Sequence, residues 1–204
     1  MPRRPPVIAA TLAILLMVAL GIVLAVRASP FEFETEWMEE IIEHRSPWWL
    51  VPSLVMNFLG GGWFAIFIVP LGVAAVFFAL RRPRDAVFFL IASALSAGLV
   101  QVFKALFGRA RPEDVLVHVD PGSFPSGHVA NAATVAVALG LILQRTWVWV
   151  AGAAYVVLMA LSRTYLGAHW ITDTIGGALL GAGVAFGLWA LLHTVWRDRS
   201  SPPR

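Results

Sequence analysis

Residues 7–26 read VIAATLAILLMVALGIVLAV, a run without a single charged side chain. A helix needs about 20 predominantly apolar residues to cross the hydrocarbon core of a bilayer, and this run meets that length. The whole chain of 204 residues is 59% hydrophobic and only 13% charged, whereas a typical soluble domain carries about 25% charged residues. This composition excludes a soluble globular domain and an intrinsically disordered chain, and it predicts an integral membrane protein.

Further apolar segments follow the first, and together they predict one domain (residues 1–204) folded as an all-α bundle of six transmembrane helices. A cleaved signal peptide is the alternative for the first segment, since Arg3 and Arg4 precede it. The apolar part of a signal peptide is only about 7–15 residues long, so an uncleaved anchor is favoured. Glycines 60–62 and Pro70 interrupt the second segment. The predicted spans cover residues 7–26, 54–80, 86–107, 127–144, 147–166 and 173–195.

Residues 31–45, FEFETEWMEEIIEHR, separate the first two spans and carry six glutamates. Their apolar residues recur at helical spacing, and the glutamates fill most of the remaining positions. This pattern predicts an amphipathic helix lying along the membrane surface, with a solvated acidic loop as the alternative. The apolar residues of the pattern are Phe33, Trp37, Met38, Ile41 and Ile42.

The arginines predict the orientation of the chain in the membrane. If the chain has six spans, nine arginines fall on one side of the membrane, which is the cytoplasmic side by the positive-inside rule. Both termini are then cytoplasmic, and three segments lie on the extracytoplasmic side of the cell membrane: 31–45, 108–126 and 163–172. Basic residues in the two later outer segments oppose the rule, which marks them as candidates for function. The nine arginines are Arg3, Arg4, Arg81, Arg82, Arg84, Arg145, Arg197, Arg199 and Arg204.

The remaining composition limits the chemistry. The chain has no cysteine, which excludes disulfides, thiolate metal sites and cysteine nucleophiles. Its net charge of +3 comes from arginines scattered in short clusters, so it indicates topology and site chemistry rather than a nucleic-acid surface. The Arg-rich, Lys-poor composition favours a bacterial source.

Three short stretches place charge and histidine in this apolar chain: 104–112 (KALFGRARP), 125–128 (PSGH) and 162–173 (SRTYLGAHWITD). All three lie at the predicted outer ends of spans three to six, so they can converge on one site. Cations near lipid cost free energy unless they are paired, and a guanidinium matches the oxygens of a phosphate group. The cations of this cluster are Lys104, Arg111 and Arg163.

The PSGH stretch adds a helix start. Ser126 and Gly127 immediately precede the fourth span, where serine is a natural N-cap and glycine lets backbone N–H groups approach an anion. Because a helix N-terminus already favours negative charge, these residues and the three cations predict a phosphate-binding cradle.

Two histidines and an aspartate supply the predicted reactivity. His169 and Asp173 are four residues apart, which places them on one face of a helical turn. Asp173 can orient one ring nitrogen while the other attacks phosphorus, and His128 is available as the general acid for the leaving oxygen. No carboxylates show a metal-ligand spacing, so neither a metal nor another cofactor is predicted, and the cations neutralise the developing charge.

The pattern K-x6-RP, PSGH and SR-x5-H-x3-D resembles the three-part signature of the type 2 phosphatidic acid phosphatases (PAP2), whose phosphate site is shared with vanadium haloperoxidases. Every signature position is filled. The resemblance implies a metal-independent hydrolase whose His169 forms a phosphohistidine, oriented by Asp173, while His128 protonates the leaving group. It also implies five residues that bind the phosphoryl oxygens: Lys104, Arg111, Ser126, Gly127 and Arg163.

We therefore predict a lipid phosphatase of the outer membrane face, with a bell-shaped rate profile showing two ionisations between pH 4 and 9. The candidate substrates are undecaprenyl pyrophosphate, which we favour, phosphatidylglycerophosphate and phosphatidic acid. A non-catalytic protein that binds or moves anionic lipids is the alternative from another class. Haloperoxidases share the site, but they are soluble enzymes and this chain is not.

Two predictions concern residues outside the signature. Arg109 is interpreted as a surface charge, because only Arg111 fits the pattern. The pairs Gly177-xxx-Gly181 and Gly183-xxx-Gly187 in the sixth span predict close packing between helices of one chain, with a dimer face as the alternative.

Overall fold

The computed structural model describes residues 4–198, with side chains from residue 5 to 192. The all-α prediction is confirmed for this range, which contains helices and no strand. Arg3, Arg199 and Arg204, which contributed to the predicted orientation, lie outside the described residues, as do the side chains of Arg4 and Arg197. The elements are α1 (Arg4–Arg27), α2 (Glu32–Glu43), α3 (Pro47–Gly60), a π-helical segment (Phe64–Ile68), α4 (Val69–Ala79), α5 (Pro83–Phe107), α6 (Gly127–Leu143), α7 (Thr146–Tyr165) and α8 (Ile171–Asp198).

Four helices in the described range are long and apolar enough to cross a membrane, namely α1, α5, α7 and α8. Helix α3 and the segment that ends with α4 form a bent pair, with an angle of 49°, which can count as a fifth span. Helix α6 is apolar but only 17 residues long. The predicted number of six spans therefore remains a prediction, whereas the helical membrane architecture is clear.

The bend in the second predicted span lies at its glycines. Helix α3 begins at Pro47 rather than near residue 54, and it ends at Gly60 because Gly61 is extended (φ −138°, ψ −177°). Gly62 follows with φ +59°, a left-handed conformation that favours glycine. At Pro70 the chain remains helical: the π-helical segment passes directly into α4 at residue 69, and Pro70 lies in the first turn of α4.

The small residues of α8 pack it against two neighbours within the chain. Gly177 and Gly181 lie against the backbone of α6, where a Cβ atom would overlap the carbonyl oxygens of Ser126 and Ala130. Gly183 lies instead against side chains of α1, including Ile14. Such close approach is what small residues permit in membrane helices. The prediction of internal packing is confirmed for these glycines.

Helix α2 confirms the helical interpretation of segment 31–45 and excludes the solvated loop. Met38 is buried, as the amphipathic pattern predicts. Glu34 is an exception among the glutamates: it is only 1% exposed, and its position four residues before Met38 places it on the apolar face of the helix. Its carboxylate accepts the backbone N–H of Phe31 at 3.0 Å, three residues back, as a glutamate in the first turn of a helix often does.

The ends of α5 to α8 that carry the three charged stretches meet at one end of the bundle. The loop between α5 and α6 folds back on itself, with the Ser123 N–H donating to the carbonyl oxygen of Arg109 at 2.8 Å. The Ser126 N–H donates to the carbonyl oxygen of Asp173 at 2.9 Å, which joins the start of α6 to that of α8. These bonds place residues that are distant in sequence around one cavity.

Candidate active site

A cavity of about 800 Å³ opens at this end of the bundle, between α3, α4, α5 and α6. The structure brings all eight predicted site residues together around it. Ser126 and Asp173 lie directly behind its wall and are completely buried. The other six line the cavity: Lys104, Arg111, Gly127, His128, Arg163 and His169.

His169 lies in the loop before α8, and Asp173 lies in the first turn of that helix. The Nδ1 atom of His169 is 3.6 Å from Asp173 Oδ2 and 3.5 Å from Ser123 Oγ. Asp173 Oδ2 also accepts the Ser123 hydroxyl at 2.5 Å and the Trp170 N–H at 2.8 Å. The other ring nitrogen, Nε2, lies 3.3 Å from Nη1 of Arg111. One nitrogen therefore faces the carboxylate and the other faces a cation of the cavity.

The three predicted phosphate-binding cations have no carboxylate partner within 4 Å in the described range. Arg163 is only 1% exposed, and Lys104 is also buried. Outside the signature, Arg45 and Arg82 form ion pairs. Arginines without an ion pair in the described range are exposed, such as Arg84 and Arg145. The cavity therefore holds positive charge that no carboxylate of the described residues neutralises. Because a buried charge is costly without a partner, binding of an anion in the cavity would be favourable.

The guanidinium groups are nevertheless held in place by neutral acceptors. Arg163 donates from Nη1 to the side-chain oxygen of Asn57 at 2.6 Å, while its Nε has no partner in the described part of the chain. Arg111 donates to backbone carbonyl oxygens, those of Asp120 and Gly122 at 2.9 Å each and that of Ala168. The arginines are thus oriented before any ligand arrives.

Ser126 occupies the N-cap position of α6, as predicted, but its hydroxyl makes no capping hydrogen bond. This hydroxyl is buried and has no partner among the described residues. Its expected role as a cap is therefore wrong in this detail. Gly127, the first residue of α6, lines the same cavity as the cations, and helix N-termini bind anions well.

His128 lies in the first turn of α6, on the side of the cavity formed by the bend after α3. Its Nε2 atom is 3.1 Å from the carbonyl oxygen of Asn57. A Cβ atom on Gly61 would overlap the imidazole, so the ring fits only because that position is glycine. Asn57 thereby contacts two predicted site residues, Arg163 through its side chain and His128 through its backbone. No signature marks Asn57 in the sequence.

Burial controls the ionisation of His169, which is 2% exposed. Burial lowers its pKa from 6.5 to about 3, against the opposing effect of Asp173. The imidazole is therefore neutral near pH 7, with a lone pair available. The ionisation of His169 is expected near pH 3, below the window of pH 4 to 9 that the sequence predicted for both limbs of the rate profile.

The low pKa predicts an effect on stability. Between pH 6.5 and about 3 the unfolded chain binds a proton at His169 and the folded chain does not. Stability from this residue is therefore fully present above pH 6.5 and is lost as the pH falls through that window. In detergent, the melting temperature should fall more steeply between pH 7 and pH 4.5 for the native chain than for His169→Gln. Parallel curves would contradict the lowered pKa, and His44→Gln, on the exposed side of α2, is the control.

The family model of the PAP2 superfamily matches residues 85–197, more than half of the chain. The chain belongs to the PAP2 superfamily. The match contains all three charged stretches and nearly all of the four helices α5 to α8 that carry them.

Relatives of this PAP2 chain are phosphatases of membrane lipids. Phosphatidylglycerophosphatase B of Bacillus subtilis is 32% identical over 147 residues, which cover 67% of this chain and 72% of the relative. An undecaprenyl-diphosphatase of Sulfolobus acidocaldarius is 33% identical over 122 residues, 56% of this chain and 59% of the relative. The prediction of a PAP2-type enzyme that hydrolyses lipid phosphate esters is confirmed, and the non-catalytic alternative is not supported.

Solved structures agree on the fold. A crystal structure of a transmembrane PAP2-type phosphatidylglycerolphosphate phosphatase from Bacillus subtilis superposes with a TM-score of 0.79 at 25% identity, covering 96% of this chain and 98% of that one. A crystal structure of LpxE from Aquifex aeolicus gives a TM-score of 0.66 at 27% identity, covering 79% and 96%. The helical architecture of the PAP2 chain is thus shared with a solved transmembrane PAP2-type phosphatase and with LpxE.

The interpretation of Arg109 as a surface charge is wrong. Its side chain is 8% exposed and forms two ion pairs, with Glu34 and with Asp173, both at 2.6 Å. One signal in the sequence could have indicated this, because Arg109 opposes the positive-inside rule as Arg111 does. The signal for Glu34 is its helical spacing, because it falls on the face of α2 that carries Met38 and Ile41, whereas the five other glutamates fall on the opposite face.

Proposed function

We propose that this protein is a metal-independent lipid phosphatase that acts at the outer face of the cell membrane through a phosphohistidine on His169. The observation that carries the proposal is one cavity lined by a neutral histidine and by three cations, two of them buried, that have no carboxylate partner within 4 Å in the described range. A phosphate group supplies the missing negative charge and brings phosphorus to the Nε2 atom of His169. Asp173 and Ser123 hold the opposite nitrogen, Nδ1, and we expect their contacts to tighten when substrate binds.

In the first step the lone pair of His169 Nε2 forms a bond to phosphorus. The bond from phosphorus to the leaving oxygen breaks, and its electron pair leaves with that oxygen. Protonated His128 gives its proton to the leaving alcohol or phosphate. The charge on the phosphoryl oxygens is neutralised by Lys104, Arg111 and Arg163, so that no step requires a metal ion.

In the second step water attacks the phosphohistidine. Neutral His128 accepts a proton from the water while the new oxygen–phosphorus bond forms. The nitrogen–phosphorus bond breaks, its electron pair returns to His169, and inorganic phosphate leaves. Both histidines are then in their starting protonation states.

The cavity supports a lipid as the substrate. Away from the charged residues it is lined by apolar side chains of the π-helical segment, α4 and α5, so a tail can remain in the bilayer while the phosphate reaches the site. The relatives named above act on phosphatidylglycerophosphate and undecaprenyl diphosphate, and these two lipids and phosphatidic acid are our candidate substrates. We further propose six spans with both termini in the cytoplasm. The apolar lining includes Phe67, Leu71, Leu90, Ala94 and Ala97.

The test is phosphate release by the purified protein in detergent, with each of the three lipids, before and after dialysis against EDTA. We expect release from at least one lipid and an unchanged rate after EDTA. No release from any lipid would contradict the proposed activity. A rate that EDTA removes and added Mg²⁺ restores would contradict the metal-independent mechanism alone.

A further inference from the structure

Glu34 is a buried carboxylate on the surface helix α2, yet it touches the start of α8. Besides the N–H of Phe31, it accepts the backbone N–H of Thr172 at 3.1 Å and the Thr172 hydroxyl at 2.6 Å. Oε1 accepts both bonds from Thr172, whereas Oε2 accepts the Phe31 N–H and Nη2 of Arg109, the latter at 2.6 Å. A carboxylate that accepts four hydrogen bonds is held in one orientation.

Arg109 connects this carboxylate to a second one. Its Nη2 donates to Glu34, and its Nη1 donates to Thr172 Oγ1 and to Asp173 Oδ1, each at 2.6 Å. The guanidinium therefore bridges α2 and α8, a geometry that its planar fork allows and a lysine does not reproduce. Three charged groups alternate in sign along this path: Glu34, Arg109 and Asp173.

The two oxygens of Asp173 have separate partners. Oδ1 accepts a hydrogen bond from the guanidinium of Arg109. Oδ2 accepts hydrogen bonds from the Ser123 hydroxyl and the Trp170 N–H, and it faces the imidazole of His169. A carboxylate held at both oxygens cannot rotate about its terminal torsion. Arg109 therefore determines which oxygen of Asp173 is presented to the imidazole.

We propose that Glu34 and Arg109 are positioning residues, which couple the surface helix α2 to the nucleophile through the orientation of Asp173. This inference rests on the proposed function, in which Asp173 orients His169. Neither Glu34 nor Arg109 lines the cavity. Their loss should accordingly lower kcat, through a misoriented nucleophile, and leave KM nearly unchanged.

The test compares Glu34→Gln, Arg109→Gln and the double variant with the native enzyme, on a lipid that the native enzyme cleaves. Kinetic constants are measured per folded protein, beside melting temperatures in detergent. Because a misplacement of about 1 Å can cost about a hundredfold in rate, we expect Arg109→Gln to lower kcat by about ten- to a hundredfold. Glu36→Gln, on the exposed side of α2, should behave as the native chain.

The double variant separates positioning from folding. Arg109→Gln alone leaves two buried carboxylates without their shared counterion, which should lower the melting temperature. Removing the charge of Glu34 as well restores the net charge of the three-residue path, so the double variant should recover stability while kcat stays low. Recovery of native kcat along with stability would overturn the inference, as would a native kcat in the folded fraction of Arg109→Gln. Absence of activity in the native enzyme would instead contradict the proposed function.

Discussion

The substitution His169→Gln is expected to lower phosphate release by at least about a thousandfold. Glutamine fills a similar volume and can still hydrogen-bond, but it has no nitrogen lone pair that can attack phosphorus. Removing a nucleophile costs far more than removing one of several binding contacts. The rate should be measured on purified protein in detergent, with a lipid that the native enzyme cleaves.

Two further measurements make this prediction specific to the proposed mechanism. With a lipid carrying a radiolabelled terminal phosphate, rapid denaturation in alkali should trap label on the native chain and none on His169→Gln. Phosphohistidine survives alkali, whereas most phosphate esters of serine do not. His44→Gln should retain full activity, because His44 is exposed on α2 away from the cavity. Label trapped on the His169→Gln chain, or a rate within tenfold of native, would exclude His169 as the nucleophile.

Gly61→Ala is expected to lower kcat by about a hundredfold through a single added methyl group. Gly61 has an extended backbone that alanine also adopts, so no backbone strain is involved. The new Cβ would overlap the imidazole of His128, which must then move away from the carbonyl oxygen of Asn57. A displacement of about 1 Å in a group that transfers a proton is enough for an effect of this size. Initial rates over a range of substrate concentrations would give kcat and KM.

Gly72→Ala is the matched control for Gly61→Ala. It adds the same methyl group in α4, where the new Cβ would meet open space and no atom beyond the neighbouring backbone of its own helix lies within 4 Å. Alanine is also the better helix former, so stability should be equal or slightly higher. If Gly61→Ala retained the native kcat, the position of the His128 ring would not matter for the reaction, and its role as general acid would be contradicted.

The helices and the residues around the cavity were predictable for one physical reason. Charge is scarce in an apolar chain, and Lys104, Arg111 and Arg163 lie at span ends where lipid would penalise them without a function. The four-residue spacing of His169 and Asp173 and the helix start at Ser126 are likewise visible in short stretches of the sequence. Such signals are short in sequence, so they can be recognised without knowledge of the tertiary structure.

The contacts that support the site were not predictable in the same way. Glu34 and Arg109 are 75 residues apart. Helical spacing places Glu34 on the apolar face of its segment, but no local pattern indicates which residue it contacts there. Asn57 resembles any polar residue at a span end until the bend after α3 brings it to Arg163 and His128. The break itself was visible as Gly60–Gly62, but the direction of a bend depends on the helices packed around it.

The contacts of Asn57 have a consequence for how the site is constructed. His128, the proposed general acid, and Arg163 contact Asn57 of α3. Asp173, which faces the proposed nucleophile His169, belongs to α8 and is connected to α2 through Arg109. The proposed reaction centre thus combines two sets of residues that different helices hold in place. His128 and Arg163 form the set beside the leaving group, and His169 and Asp173 form the set that attacks phosphorus. Loss of the Asn57 contacts should therefore impair proton transfer to the leaving group first, whereas loss of the Arg109 contacts should impair the attack on phosphorus first.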